Sequence, residues 1–432
     1  MLNVRASGNL LKLKGVAFTL MLGFIVSAAA GSLCTVEYRM VRAEKTKSEN
    51  ATLILPAGKE IRVAVRCTAD NNLFNKCRQV NHPSILDFVN RLPNGYEYLL
   101  AVTPYPNRDA RYENPSIIFS NDLQSWSEDE VVNPIYPPPR DALVTSGPHN
   151  MDPHLVWDPV GREIRLYWGY WSRLERIRGW MFLRSRDGVN WVGPYKTNLP
   201  YYVSFSVIYD QSARKWRAWG IKIDVKPFEV WCYESDDGAE WVAVGKCNIP
   251  TVKYDGQSWQ VWHATVRKVG DEFWMIAAMN PVGVSDGSAP INLFLLRTRD
   301  GINWKAYNTP ILTVSRSLSD DRLYRAAFLI KEGRLYVIYS YQKSDGTWHI
   351  ALTSTDVSFL VGSDTTDNVI SEMFIGLKIR HYLNRTARML IQNMPTALAG
   401  TTIVMTMILI IILLLSAILK LKVRIVILRI IS

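Results

Sequence analysis

Three heptapeptides with the pattern S/T-x-D-G-x-x-W decide the fold: SRDGVNW at 185–191, SDDGAEW at 235–241 and TRDGINW at 298–304. SNDLQSW at 120–126 lacks only the glycine, and STDVSFL at 354–360 is a degenerate fifth copy. Asp-Gly between a β-rich run and a tryptophan is a tight-turn signal, because Asp caps the turn and Gly accepts a positive φ. The spacing of about 50–65 residues indicates a repeat protein.

Three runs of β-forming residues precede each turn. The second repeat shows them best, as DPHLVWD (152–158), REIRLYWGYW (162–171) and WMFLRS (180–185). Five copies of a four-stranded meander predict a five-bladed β-propeller, an all-β fold spanning 80–370. A β-sandwich with coincidental turns is the alternative. We expect residues 52–66, within a linker at 35–79, to supply an outer strand that closes the ring.

The charge is concentrated at the two ends of the chain. The protein has 50 Lys and Arg against 39 Asp and Glu, a net charge of +11. Residues 1–14 carry +3 and residues 378–432 carry +8, so the body between them is neutral. All 15 tryptophans lie between Trp126 and Trp348. A neutral, tryptophan-rich body with no recognised motif argues against nucleic-acid binding.

The N-terminal basic segment precedes GVAFTLMLGFIVSAAA at 15–30. A charged start, an apolar stretch and a small-residue exit are typical of a secretory signal peptide, and an uncleaved signal anchor is equally compatible with 1–34.

Near the other end, Ala397–Leu419 contains no charged residue and is long enough to span a bilayer. A buried soluble helix is the alternative, but this segment is apolar all round. A basic juxtamembrane segment at 371–396 precedes it and a basic tail at 420–432 follows. The tail favours a cytoplasmic C-terminus, which predicts a membrane-anchored protein with its propeller on the extracytoplasmic side.

The five cysteines fit an oxidising compartment. Cys67 and Cys77 could close a short loop, and Cys232 and Cys247 could bridge two neighbouring strands. No C-x-x-C motif or Cys/His cluster indicates zinc, and we expect no metal or other cofactor.

Propeller geometry predicts where a pocket lies. The first strand of each blade lines the central channel, and its start opens at the face where the second strand ends. Residues of the first-run starts and of the second-to-third junctions should therefore meet there. Polar groups rimmed by aromatic rings suit a sugar, so a glycan is the expected ligand. The expected substrate-binding residues are His82, His154, Ser206, Trp171, Trp262, His263, Tyr324 and Arg325. Each histidine alone could equally be a strand residue satisfied by backbone.

The repeats resemble the five-bladed propellers of the arabinanase, invertase and mannoside-phosphorylase groups of glycoside-active enzymes. They are more similar still to uncharacterised propeller proteins with the same string of motifs. That string comprises His82–Ser84, Thr103–Pro106, Glu113–Ile117, Asp152–Val156, Trp262–His263 and Tyr324–Arg325. The resemblance covers about residues 80–360 and implies a glycoside hydrolase-like protein.

The chain departs from the enzyme pattern at important positions. Those enzymes carry carboxylates at the first-strand starts of the first two blades and a catalytic acid further on. Only Asp152 matches, because His82 occupies the first position. Glycosidases need two carboxyl groups at a defined separation. If the protein is a glycosidase, we expect Asp152 to be the base or nucleophile and Glu113 the acid, with Asp224 or Glu229 as a third candidate.

Two other functions remain open on the sequence. The same pocket could belong to a non-catalytic propeller that binds carbohydrate or protein. The propeller could also be a structural partner in a membrane complex, which a pocket plugged by Trp and Arg side chains would favour.

Overall fold

The computed structural model describes residues 53–67, 74–88, 92–143, 147–284 and 290–356. Strands dominate these ranges, and the predicted all-β, five-bladed propeller is confirmed. Four short 3-10 helices lie in the loops: Pro106–Arg108, Ala110–Tyr112, Arg140–Leu143 and Val314–Arg316. Within the described ranges, no helix is both long and apolar enough to cross a membrane. The predicted segments at 15–30 and 397–419 lie outside those ranges.

Three short strands precede blade 1 in the described part of the chain. They are β1 (Lys59–Ile61), β2 (Val65–Cys67) and β3 (Phe74–Cys77). β2 and β3 form a separate two-stranded sheet that the Cys67–Cys77 disulfide ties together. Blade 1 consists of β4 (Val80–Asp87), β5 (Tyr98–Pro104) and β6 (Ser116–Ser120).

Blades 2 and 3 are four-stranded antiparallel meanders. Blade 2 contains β7 (His149–Asp158), β8 (Glu163–Ser172), β9 (Ile177–Ser185) and β10 (Val192–Lys196). Blade 3 contains β11 (Val203–Asp210), β12 (Lys215–Lys222), β13 (Glu229–Ser235) and β14 (Trp241–Lys246).

Blades 4 and 5 modify this plan. Blade 4 has five strands: β15 (Val252–Tyr254), β16 (Gln257–Val269), β17 (Glu272–Pro281), β18 (Asn292–Thr298) and β19 (Lys305–Ala306). Blade 5 contains β20 (Arg322–Lys331), β21 (Arg334–Gln342) and β22 (Trp348–Asp356). Its fourth strand is β1, which pairs antiparallel with β22, so the N-terminal strand closes the ring.

The repeated heptapeptide forms the same turn in successive blades. In SRDGVNW the Ser185 hydroxyl accepts a hydrogen bond from the amide of Gly188, and Asp187 accepts from the next two amides. The Trp191 indole N–H closes the turn by donating to the Gly188 carbonyl at 3.0 Å. Gly188 has φ 78°, as the sequence pattern predicts. The glycine-free copy keeps the geometry, because Leu123 adopts φ 65°.

Blade 1 differs from the predicted four-stranded meander. After its turn the chain makes only a single bridge, Phe119 with Ser127, before entering the proline-rich stretch at 133–139. Proline has no amide hydrogen to donate to a ladder, so a fourth strand cannot continue there. Asn133 instead bonds the backbone of Ile117 through both its side-chain atoms.

Apolar side chains packed between blades hold the ring together. One core cluster joins blades 1 and 5 around Leu100, Ile338 and Ile350, and another joins blades 2 and 3 around Tyr167, Phe205 and Trp216. Burial of such large side chains supplies most of the stabilisation of a propeller. Cys232 and Cys247, which could have formed a bridge, are both free and buried.

Candidate active site

Each inner strand carries a register irregularity at the same level of the channel. In blades 1 to 5 these fall between Asn81 and Ser84, Met151 and His154, Val203 and Ser206, Val261 and His263, and Leu323 and Ala326. At a β-bulge the strand turns and aims an extra side chain away from the ladder. His82, Asp152 and Ser204 also have positive φ values of 53°, 51° and 54°. Such backbone strain in non-glycine residues is concentrated at functional sites.

The bulges bring His82, Asp152 and His263 together at the channel axis. Asp152 Oδ1 lies 3.5 Å from His82 Nε2 and 3.6 Å from His263 Nδ1. The other oxygen, Oδ2, accepts a hydrogen bond of 2.9 Å from the Ser204 amide. All three side chains are at least nine-tenths buried. The cluster therefore joins strands of three blades in one small volume.

The protonation states follow from burial and from one permanent cation. Burial lowers the pKa of His82 to about 4 and that of His263 to about 3, so both rings are neutral at pH 7. Burial alone would raise the pKa of Asp152, but His263, His82, Arg325 and the Ser204 amide together lower it to about 2. Arg325, with Nη1 3.5 Å from Asp152 Oδ1, is the one permanent charge among these groups.

Glu113 adds a second carboxyl group with the opposite behaviour. It follows the 3-10 helix Ala110–Tyr112, and its Oε1 lies 3.6 Å from His82 Nδ1. Burial raises its pKa well above the ordinary value, and the nearby Asp152 carboxylate adds to the rise. Glu113 is thus the more readily protonated of two carboxyl groups that share the His82 ring, the other being Asp152. Two carboxyl groups with opposed pKa shifts are typical of a catalytic site.

Two groups fix the position of these side chains. His82 Nδ1 lies 2.8 Å from the Thr103 hydroxyl, which leaves Nε2 facing Asp152. Arg325 is fully buried and approaches His154 Nδ1 at 3.4 Å, while His154 Nε2 lies 2.9 Å from the carbonyl oxygen of Val207. His154 therefore lines the channel wall behind Arg325.

Aromatic rings cover the cluster. Tyr324 lies 4.4 Å from His263 and 5.4 Å from His82 between ring centroids, and Trp348 lies 5.0 Å from Tyr324. Trp262 meets His263 edge-on at 5.5 Å. Trp262 and Trp348 are buried, whereas Tyr324 is half-buried and is the ring of this group that a sugar could contact.

A cavity of about 540 Å³ opens at the rim of the channel. Its walls are residues 107–111 of blade 1, Gly147, Pro148 and His149 of blade 2, and Trp171. Trp171 is therefore placed at the rim and not at the cluster. The same two chain segments carry Glu113 and Asp152, although neither side chain lines the cavity.

Three expected residues lie elsewhere. The Ser206 hydroxyl is bonded to the backbone amide and carbonyl of Val266, which makes it a link between blades 3 and 4. Glu229 pairs with Lys246 at 2.8 Å and accepts from the Trp231 indole. Asp224 is exposed. Neither carboxylate belongs to the cluster.

His82, Asp152 and His263 form a possible metal site, contrary to the expectation of no metal. One ligand atom from each lies within 4.8 Å of the others. The ligands come from blades 1, 2 and 4, so no short spacing reveals them. The sequence signal is that His82 and Asp152 each stand directly before a proline at the start of an inner strand.

Comparison with known proteins agrees with this architecture. A crystal structure of an N-acetylgalactosamine deacetylase from F. plautii, in complex with blood group B trisaccharide, superposes with a TM-score of 0.60 and 22% identity. The match covers 72% of this chain and 97% of that one. The predicted resemblance to five-bladed propellers is confirmed at the level of the fold.

A relative found by sequence and a second solved structure also match the chain. In sequence, the chain is 28% identical over 347 residues to the A type blood N-acetyl-alpha-D-galactosamine deacetylase of Flavonifractor plautii. That alignment covers 67% of this chain but 42% of the relative, so the chain spans less than half of the relative's length. A thermostable family-43 glycoside hydrolase matches with a TM-score of 0.46, 12% identity and coverage of 63% of this chain and 88% of that one. No protein-family model matches the chain.

Proposed function

We propose that the protein is a metal-dependent hydrolase that removes the acetyl group from an N-acetylated sugar of a glycan. The buried His82–Asp152–His263 cluster carries this proposal. The 28% identical relative, a deacetylase of N-acetyl-alpha-D-galactosamine, supports the choice of reaction.

The three side chains fit a divalent ion. Metal–ligand bonds of about 2.1 Å at tetrahedral or octahedral angles separate neighbouring ligand atoms by roughly 3–3.5 Å. The separations of 3.5 and 3.6 Å around Asp152 Oδ1 match that expectation and are too long for hydrogen bonds. Asp152 Oδ1 and both ring nitrogens of His263 are buried without a hydrogen-bond partner. Orphaned buried polar atoms facing one point are what a metal ion would satisfy.

The remaining site residues prepare the cluster for a metal. The ligand histidines must be neutral, and burial keeps them so. Thr103 orients the His82 ring through Nδ1, as a partner outside the ligand set usually does. One Asp with two His suits zinc or manganese. When bound, such an ion polarises a carbonyl oxygen and lowers the pKa of water.

Glu113 supplies the proton that amide cleavage requires. Water adds its oxygen to the acetyl carbon, the carbon–nitrogen bond breaks, and the amine nitrogen takes the proton of Glu113. Acetate keeps the water oxygen. Of the two protons that the water loses, one restores Glu113 and the other goes to the amine, which leaves as an ammonium group. The raised pKa of Glu113 suits it to donating a proton to the leaving nitrogen.

A second candidate reaction is hydrolysis of a glycosidic bond. The observation that favours it is the opposed ionisation of Asp152 and Glu113 on either side of one imidazole ring. Asp152 would then act as base or nucleophile and Glu113 as acid.

We also propose that the propeller is anchored to a membrane and faces the extracytoplasmic side. The charge-free segment Ala397–Leu419 with its basic tail supports anchoring. The Cys67–Cys77 disulfide is consistent with an oxidising compartment.

One assay separates the two reactions. The full-length chain is stripped with a chelator, reloaded with zinc or manganese, and supplied with oligosaccharides ending in N-acetylgalactosamine. We expect metal-dependent release of acetate without release of a monosaccharide. Asp152→Asn and Glu113→Gln should abolish it, whereas the exposed control Glu130→Gln should keep full activity. Chelator-resistant release of a sugar would establish the glycosidase instead.

A further inference from the structure

The rim cavity has more positive than negative charge around it. Three exposed arginines face or flank it: Arg108 in its wall, and Arg173 and Arg178 beside Trp171. Asp109 is the one carboxylate among the residues that line the cavity. It already pairs with Arg111, whose Nε lies 2.9 and 3.0 Å from the two carboxylate oxygens. In the described part of the chain, none of the three arginines has a carboxylate within 4.0 Å. The rim therefore carries uncompensated positive charge.

A comparison with the other arginines over aromatic rings makes this specific. Six arginines of the described residues lie over rings. Four of them, Arg165, Arg184, Arg217 and Arg297, also have a carboxylate within 4.0 Å. Arg173 and Arg178 do not. The four stacked arginines elsewhere on the propeller are each neutralised by a carboxylate. Arg173 and Arg178 at the rim are not, so they can bind an anion.

The rings hold these guanidinium groups in place. The Arg173 and Arg178 guanidinium carbons lie 5.2 and 5.3 Å from the Trp171 ring, and Arg178 also lies 4.7 Å from Tyr201. A guanidinium stacked on a ring keeps its N–H edge free, and that fork matches the oxygens of a carboxylate or sulfate. Gly147, with φ 118°, is required here because a Cβ would lie 2.7 Å from the Trp171 ring.

The rim and the cluster are built from the same two chain segments. His149 in the cavity wall and Asp152 lie three residues apart on β7, and Arg111 lies two residues before Glu113. Tyr201 belongs to the same rim, because its ring lies 6.4 Å from the Trp171 ring between centroids and 4.7 Å from the Arg178 guanidinium carbon. A ligand anchored at the rim would place its neighbouring sugar over the cluster.

We propose that the rim cavity is a subsite for the negatively charged group of an acidic sugar, a uronate carboxylate or a sulfate ester. The proposal deepens the proposed function and rests on it, since it makes acidic glycans the substrate class. Arg108 and Arg178 bind the anion, and the rings of Trp171 and Tyr201 hold the Arg178 guanidinium in place. A cavity of about 540 Å³ accommodates such a sugar.

Calorimetric binding to the full-length chain tests this subsite. One probe pair is a galacturonic acid trisaccharide and its methyl ester, and the other is a sulfated galactosyl trisaccharide and its desulfated form. We expect at least one acidic probe to bind about tenfold more tightly than its neutral partner, as one or two charge-assisted hydrogen bonds allow. The pair that discriminates identifies carboxylate or sulfate as the ligand group.

Two variants and a matched control complete the experiment. Arg178→Gln and Arg108→Gln should each remove most of the preference for the acid. Arg186→Gln, an exposed arginine of the turn at 185–191, should keep it. Three results would overturn the subsite: equal affinity for the acidic and the neutral probe in both pairs, no binding of either acidic probe, or a preference for the acidic probe that both variants retain. Acetate release from a neutral N-acetylated trisaccharide is measured separately, so its absence counts against the proposed reaction alone.

Discussion

His82 and Asp152 occupy the same position in neighbouring blades and face each other across the channel. Each is the bulged residue of an inner strand, each has a positive φ, and each directly precedes a proline. Their side chains meet at 3.5 Å between Nε2 and Oδ1. The repeat thus delivers a base and a carboxylate to one point by the same backbone device.

Removing the charge of Asp152 should destabilise the propeller through Arg325. Arg325 is fully buried, and its NH1 lies 3.5 Å from Asp152 Oδ1. Breaking a buried ion pair by neutralising one partner costs about 3–5 kcal/mol. We expect Asp152→Asn to lower the free energy of unfolding by that amount in urea titrations. The double variant Asp152→Asn/Arg325→Met should recover part of the loss, and equal stability of single and double variants would contradict this account.

The left-handed backbone at His82 predicts an inverted preference between alanine and glycine. Glycine adopts positive φ without strain, so His82→Gly should be about 1 kcal/mol more stable than His82→Ala. His154 is the matched control, because it lies in the same sheet layer of blade 2 but is not among the residues with positive φ. There His154→Ala should be the more stable variant. Chemical denaturation of the four variants checks the prediction, and the same order at both sites would refute it.

The buried histidines predict acid sensitivity. Burial lowers the pKa of His82 to about 4, and those of His154 and His263 to about 3, while unfolded histidine titrates near 6.5. Between pH 6.5 and 4 the unfolded chain binds more protons, so the free energy of unfolding falls as the pH falls. At pH 5 the expected loss is roughly 2 kcal/mol per histidine.

Glu113 works in the opposite direction. Its raised pKa means that the folded state holds a proton that the unfolded state releases above about pH 4.5, so this group favours folding as the pH falls. The acid sensitivity should therefore be steeper in Glu113→Gln. Urea titrations from pH 7.5 to 4.5 with a chelator present measure both slopes. A wild-type stability that rises throughout this range would contradict the assignment of neutral histidines.

Ring closure depends on Gly58. It has φ 85°, and a Cβ there would overlap the carbonyl oxygen of Leu352 on β22. Gly58→Ala combines backbone strain with this overlap and should lower the free energy of unfolding by about 2–3 kcal/mol. Gly256→Ala, with φ 71° and open space around the Cβ, should show only the strain of about 1 kcal/mol. Faster hydrogen exchange at Trp348–Asp356 in Gly58→Ala alone would locate the effect, and equal losses would rule it out.

The fold was predictable because its signal is local and repeated. Ser185, Gly188 and Trp191 bond one another within seven residues, so each turn is encoded by its own heptapeptide. The missing fourth strand of blade 1 was not predicted, although the prolines at 134 and 137–139 contained the reason. Leu123 shows that the surrounding hydrogen bonds can impose a positive φ even without glycine.

The site was predictable only in part. His82, His263, Asp152, Glu113, Tyr324 and Arg325 were expected near the pocket from strand phase alone, and the structure brings them together. Their grouping as metal ligands depends on distances between three blades, which no sequence spacing records. The role of Arg178 at the rim could not be predicted from the sequence for a similar reason, since only the fold places it against Trp171 and Tyr201.

The antiparallel pairing of β1 with β22, which we call the clasp, also determines how the ring responds to tension. The two strands are antiparallel, with Lys59 opposite Leu352, and the Thr353 hydroxyl donates to the carbonyl of Pro56 at 2.6 Å. The chain therefore enters and leaves the propeller side by side. A force that draws the two ends apart peels this clasp one rung at a time from its open end, without shearing all its hydrogen bonds at once. Mechanical failure of the ring would begin at this seam in blade 5, the blade whose inner strand β20 carries Arg325.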